Sequence, residues 1–160
     1  PRDMAVSYYF SLLSSHVVPD GVDSKGVRAE LFRTRALAAD IGIDQFVLQV
    51  TIPLFRWMIE GYIAQGFLWR PNVTVMRYED VIFRKREWVQ ALCALYEWDI
   101  SAKKANAVAD KFDERPEIER PEQHVRQVTP GDHRRRLAPG TIARLNIAFA
   151  EYLRLFGYDD

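Results

Sequence analysis

One short run of β-branched residues stands among segments that otherwise have helical periodicity. Val73-Thr74-Val75-Met76-Arg77-Tyr78 lies between the turn-forming pair Pro71-Asn72 and the acidic pair Glu79-Asp80, a composition typical of a strand. A single strand placed between helices favours an α/β protein with a parallel sheet. The sequence therefore predicts the helix-rich part of an α/β fold, with few strands in this chain and the others upstream.

Helices are predicted on both sides of this strand. Met4, Tyr8 and Leu12 recur at four-residue spacing, which predicts a helix from Pro1 to about Ser14. Charged residues and three prolines between 113 and 138 predict an irregular segment. The other helices are predicted over residues 27–40, over 44–66 with a kink or a new start at Pro53, around 88–96, over 102–112 behind the N-cap Ser101, and from Pro139 to a stop at Gly157.

The composition predicts one globular domain without a dominant charge. The 160 residues are 48% hydrophobic, and 22 basic residues balance 22 acidic ones. No overall charge points to nucleic acid, so an anion site must come from local clustering. The single Cys93 can form no internal disulfide, which suits a cytoplasmic protein. We find no apolar run long enough for a membrane span and no signal-peptide pattern.

Three polar segments contain residues that could bind a phosphate group or a nucleotide base. The start of the first helix offers free N–H groups, and Ser7 could add a hydroxyl. Tyr78 is predicted at the carboxyl end of the strand, where ligands of parallel sheets bind and its ring could stack on a base. Residues 124–136 contain four arginines and a single acidic residue, Asp132, and arginine suits phosphate because its planar fork donates paired hydrogen bonds.

Each segment also has a plain structural interpretation. Ser7 could be a small residue that faces a neighbouring helix. Glu79 and Asp80 could end the strand, and we expect Asp80 to cap the following helix whether or not Tyr78 binds a ligand. The basic loop could be a solvated surface.

Taken together, the three segments resemble the sulfotransferases that use 3′-phosphoadenosine 5′-phosphosulfate (PAPS). Pro1-Arg2-Asp3 and Val6-Ser7 match the end of a family motif that reads Arg-x-Pro-Lys/Arg-Asp-x-x-Val-Ser. Arg77-Tyr78-Glu79-Asp80-Val81 is similar to the Tyr-Glu-Asp-Leu segment. Arg126, Gly131 and Asp132 match the family's Arg-Lys-Gly-x-x-Gly-Asp-Trp loop, in which Gln127 replaces lysine, Val128 replaces glycine and His133 replaces tryptophan.

The resemblance implies a role for four residues. Ser7 and Arg126 would hold the 3′-phosphate of the nucleotide, Tyr78 would approach the adenine, and Gln127 could still donate through its amide. Val128 puts a backbone contact to phosphate in doubt, because it cannot easily adopt the positive φ that is open to glycine.

The resemblance covers residues 1–160 as the C-terminal part of one P-loop-type domain. It implies sulfuryl transfer from PAPS, without a metal, to a hydroxyl or amine on a small-molecule, lipid or carbohydrate acceptor. The phosphosulfate loop, the catalytic lysine and the general base are expected upstream of Pro1, so this chain alone should not turn over substrate. Two alternatives remain open at this stage: a related P-loop phosphotransferase or kinase, and a non-catalytic helical interaction domain.

Overall fold

The structure is a computed structural model that describes residues 1–15, 25–123 and 125–158. Within these ranges the regular structure is helical, and neither a strand nor a sheet is present. The prediction of an α/β fold with a parallel sheet, and with it the P-loop-type scaffold, is therefore wrong for this chain.

The failed strand shows why local composition was not sufficient. Residues 73–77 adopt no regular structure, although Arg77 keeps an extended backbone with φ −83° and ψ 141°. A strand is stabilised by cross-strand pairs, and the described residues contain no second strand to provide them. Val75 is accordingly 51% exposed. Tyr78 does not end a strand but begins a helix.

Nine α-helices make up most of the described chain. Two π-helical segments, Ser11–Ser15 and Val47–Thr51, and one short 3₁₀ segment, Phe67–Trp69, connect some of them. The α-helices are α1 Arg2–Phe10, α2 Lys25–Phe46, α3 Ile52–Ala64, α4 Tyr78–Val81, α5 Lys85–Leu95, α6 Ala102–Lys111, α7 His133–Arg136, α8 Pro139–Ala148 and α9 Ala150–Leu155.

Several of the predicted helix boundaries are confirmed by local geometry, whereas α1 is shorter than predicted and α2 is longer. Ser101 caps α6, since its hydroxyl accepts a hydrogen bond from the backbone N–H of Lys104 at 3.4 Å. Pro53 lies in the first turn of α3, where its missing N–H is tolerated. Gly157 ends the last helix with φ 69°. The predicted last helix is nevertheless two helices, because the backbone at Phe149 leaves helical geometry with ψ 12°.

The stretch Gly26–Ala64 contains an 18-residue window with a mean hydropathy of 1.3, which is apolar enough to cross a membrane by length and composition alone. Its helical geometry is interrupted at Gly42, where φ is 71° and ψ is 172°. Core helices of soluble proteins meet the same criterion of length and composition. The expectation that the chain has no membrane span therefore stays a prediction.

The main core joins the start of the chain to its end. Val6 of α1, Val47, Leu145 of α8 and Phe149 are each fully buried, and they belong to one cluster that also contains residues of α3 and α9. Because apolar burial is the main stabilising contribution to folding, this cluster fixes α1 against the C-terminal helices. The first turn of α1 is thereby held close to the 125–134 segment and to Tyr158.

Candidate functional site

One cavity of about 930 Å³ brings the predicted site residues together. Ser7, Tyr78, Arg126 and Gln127 all line it, although they come from three distant segments of the chain. The volume lies within the range of small-molecule sites, about 300–1,000 Å³. The remaining lining residues come from the start of α1, the 77–85 region, Glu114, the 125–134 segment and the pair Gly157-Tyr158.

The start of α1 opens onto this cavity. Pro1 occupies the N-cap position and makes no side-chain cap hydrogen bond, so the first N–H groups of the helix and the positive end of its dipole remain available. Arg2 donates a hydrogen bond from its guanidinium to the backbone carbonyl of Tyr158. Ser7 is exposed at the cavity wall.

Asp3 fastens α1 to the 125–134 segment. Its carboxylate accepts hydrogen bonds from the backbone N–H of Gly131 at 2.5 Å, from the backbone N–H of His133 at 2.9 Å and from the Nδ1 of His133 at 2.6 Å. Burial alone would raise the pKa of Asp3, but the hydrogen bonds from His133 and Gly131 outweigh it and lower the pKa from 3.8 to about 2. Asp3 is thus a carboxylate at neutral pH.

Gly131 gives the loop the shape that this contact requires. Its φ of 88° lies in the left-handed region, which glycine adopts without the steric penalty of a Cβ atom. The turn lets the N–H groups of Gly131 and His133 meet the same carboxylate. Gly131, which belongs to the sequence motif, is therefore needed for the shape of this loop.

Arg126 lies in an ion network rather than on an open surface. One terminal nitrogen bonds to a carboxylate oxygen of Glu119, and the other lies 2.5 Å from Asp132 Oδ2. The ring of Phe10 covers the guanidinium, with 4.4 Å from its central carbon to the ring centroid. Only 12% of the Arg126 side chain is exposed. Both terminal nitrogens of the Arg126 guanidinium therefore already have a carboxylate partner.

Asp132 is the centre of this network. Besides Arg126, it accepts a hydrogen bond from Arg135 at 2.8 Å, and the Nε of Arg136 lies 3.6 Å away. Burial would raise the pKa of Asp132, but the hydrogen bond and the charge of Arg126, together with the hydrogen bond from Arg135, hold it below its ordinary value. Asp132 thus pairs with three of the four arginines of this loop.

Gln127 also has a partner within the loop. Its carbonyl oxygen Oε1 accepts a hydrogen bond from Arg135 at 3.1 Å. The side chain is partly buried at the cavity wall. His124, at the start of the predicted basic segment, lies outside the described residues.

Tyr78 lines the cavity from the first position of α4, and 45% of its surface is exposed. Burial of the rest raises the pKa of its hydroxyl. Its predicted place at the carboxyl edge of a sheet is wrong, since no sheet is present in the described chain. Asp80, expected to cap the following helix, instead lies inside α4 and forms a two-pronged ion pair with Arg77 at 2.7 and 2.9 Å.

Sequence reasoning missed several residues of the cavity. Tyr158 donates a hydrogen bond from its hydroxyl to Glu79 at 2.6 Å, which links the chain end to α4. Lys85 and Glu114 also face the cavity. Arg134 is exposed and lines the same cavity. Of these residues, only Arg134 belongs to a recognisable sequence pattern, the basic run 134–136. Tyr158, Lys85 and Glu114 lie in separate segments that no motif connects.

The described residues contain no group of three or more His, Cys, Asp or Glu side chains that could hold a metal ion. The expectation of a metal-free site stays a prediction.

Comparison of this chain with protein-family models, with curated proteins and with solved structures finds no match.

Proposed function

We propose that this chain forms the part of a PAPS-dependent sulfotransferase that binds the adenosine 3′,5′-bisphosphate portion of the nucleotide. The observation that carries the proposal is the shared cavity. Ser7, Tyr78, Arg126 and Gln127 come from three separate sequence segments, and all of them line it. Unrelated surface residues would have no physical reason to converge in this way.

The chemistry of the lining suits a nucleotide with two charged ends. The open N-terminus of α1 and the hydroxyl of Ser7 supply donors for a phosphate oxygen. The exposed ring of Tyr78 offers a flat apolar surface for a base, with a polar tip. In this proposal Gln127 provides a further amide beside them.

The proposed role of this chain is binding and orientation. Sulfuryl transfer requires in-line geometry and stabilisation of the leaving phosphate. No residue of this chain is assigned a catalytic role in the proposal. The isolated chain should therefore bind the bisphosphate without turning over PAPS.

Isothermal titration calorimetry of adenosine 3′,5′-bisphosphate against ADP tests the proposal. A site built for the 3′-phosphate should bind the bisphosphate at least about tenfold more tightly, the effect of one well-placed charged hydrogen bond. Ser7→Ala should weaken the bisphosphate more than it weakens adenosine 5′-monophosphate. Ser101→Ala is the matched control, because it removes the cap of α6 away from the cavity and should lower stability without changing affinity.

A non-catalytic helical module is the second candidate. It is favoured by the all-helical fold and by the pairing of Arg126 with Glu119 and Asp132. It predicts no measurable preference between the two nucleotides. Tighter binding of ADP would instead favour the phosphotransferase alternative.

A further inference from the structure

The phosphate contact that the family resemblance implies for Arg126 competes with the partners that this side chain already has. Both terminal nitrogens are bonded to carboxylates, and Phe10 covers the guanidinium. To reach a ligand, Arg126 would have to give up its ion pair with Glu119 or with Asp132. Because this exchange replaces one charged hydrogen bond by another of similar strength, it would add little to the affinity for a phosphate.

Arg134 of the same cavity has no such competition. It is exposed, and its side chain forms neither a hydrogen bond nor an ion pair with any residue in the described ranges. An arginine carries five N–H donors, and here all of them are open to a ligand. Contact with a phosphate would require only the ordering of a free side chain.

Arg2 is a further cation at the cavity that has no carboxylate partner among the described residues. Its guanidinium donates to the carbonyl of Tyr158, and within the described chain it forms no ion pair. It lies on the first turn of α1, whose dipole also favours an anion. By contrast, Arg77 is paired with Asp80, and the amine of Lys85 lies 4.0 Å from Asp113.

We infer that Arg134, supported by Arg2, is the cation that contacts the ligand's phosphate, and that Arg126 is a positioning residue. Arg126 holds the loop by joining Glu119 to Asp132, which places Gln127 and Arg134 at the cavity. The inference rests on the proposed function for the identity of the nucleotide. The same two arginines would attract any phosphate-bearing anion that enters the cavity.

Calorimetric titration with inorganic pyrophosphate, adenosine 3′,5′-bisphosphate and adenosine separates these roles. Arg134→Gln should weaken pyrophosphate and the bisphosphate about tenfold each and leave adenosine unchanged. Arg144→Gln removes the same charge from an exposed position of α8 outside the cavity and should change none of the three affinities. Arg126→Lys should lower the melting temperature while the ratio of bisphosphate to adenosine affinity stays within about twofold.

The outcomes distinguish this inference from the proposed function. If Arg134→Gln leaves the affinity for pyrophosphate unchanged, the assignment to Arg134 is wrong. It is also wrong if Arg126→Lys removes the preference for the bisphosphate over adenosine while Arg134→Gln keeps that preference. Arg134-dependent pyrophosphate binding without a preference for the bisphosphate over ADP supports the assignment and refutes the nucleotide proposal. Absence of binding of both anions by the wild type overturns both.

Discussion

Replacement of Asp3 by asparagine should make the stability of this protein less sensitive to acid. The pKa of Asp3 is lowered from 3.8 to about 2 by hydrogen bonds from His133 and Gly131. At about 1.4 kcal/mol for each pKa unit, this drop corresponds to about 2 kcal/mol of stability at neutral pH. Because 28% of the side chain is exposed, solvent screening reduces the expected contribution to about 1–2 kcal/mol.

The sign of the pH effect follows from the direction of the shift. A carboxyl with a lower pKa in the folded state stabilises the protein above its ordinary pKa, here 3.8, and this stabilisation disappears as the pH falls through about 2. The wild type should therefore exceed Asp3→Asn in free energy of unfolding by about 1–2 kcal/mol at pH 7. The difference should shrink between pH 4 and pH 2.

Urea denaturation followed by tryptophan fluorescence at a series of pH values measures this difference. Asp99→Asn is the matched control, since Asp99 is exposed and has no side-chain partner in the described chain. A constant difference between the wild type and Asp3→Asn across this pH range would refute the reasoning. So would an equal response of the control variant.

Two further predictions concern the fold itself. Leu145→Ala should lower the free energy of unfolding by about 2–5 kcal/mol because Leu145 is fully buried. Leu155→Ala, at a position 44% exposed, should lower it far less. Equal losses of the two variants in chemical denaturation would contradict the assigned core. Gly131→Ala should destabilise the folded protein by about 1 kcal/mol because a φ of 88° strains any residue with a Cβ. Gly140→Ala inside α8 should be neutral or stabilising. The reverse order of melting temperatures would argue against the loop geometry.

The features that could be predicted from the sequence are those decided by neighbouring residues. Ser101 caps α6 and Gly157 ends α9 because a hydroxyl or a missing Cβ acts within one turn of the chain. The run 73–78 has the composition of a strand, but a strand also needs a pairing partner, and the described residues provide none. Local propensity was therefore overridden by tertiary context.

The candidate site was predictable only as separate segments. Residue type and order along the chain indicated Ser7, Tyr78 and Arg126 as site residues, and all three line one cavity in the structure. The contact of Asp3 with Gly131 spans 128 residues, a separation that no local pattern reports. The pairing of Arg126 with two carboxylates and the open side chain of Arg134 likewise depend on how the loop folds.

An NMR titration of the ¹⁵N-labelled chain with adenosine 3′,5′-bisphosphate tests most directly whether this cavity binds the nucleotide. Binding there should give the largest amide shift changes at the cavity residues Ser7, Tyr78, Gln127 and Gly131, with little change in residues 88–95 of α5 and in α6. Shift changes concentrated on residues 88–95 and α6, or no change at millimolar nucleotide, would show that this cavity is not a nucleotide site.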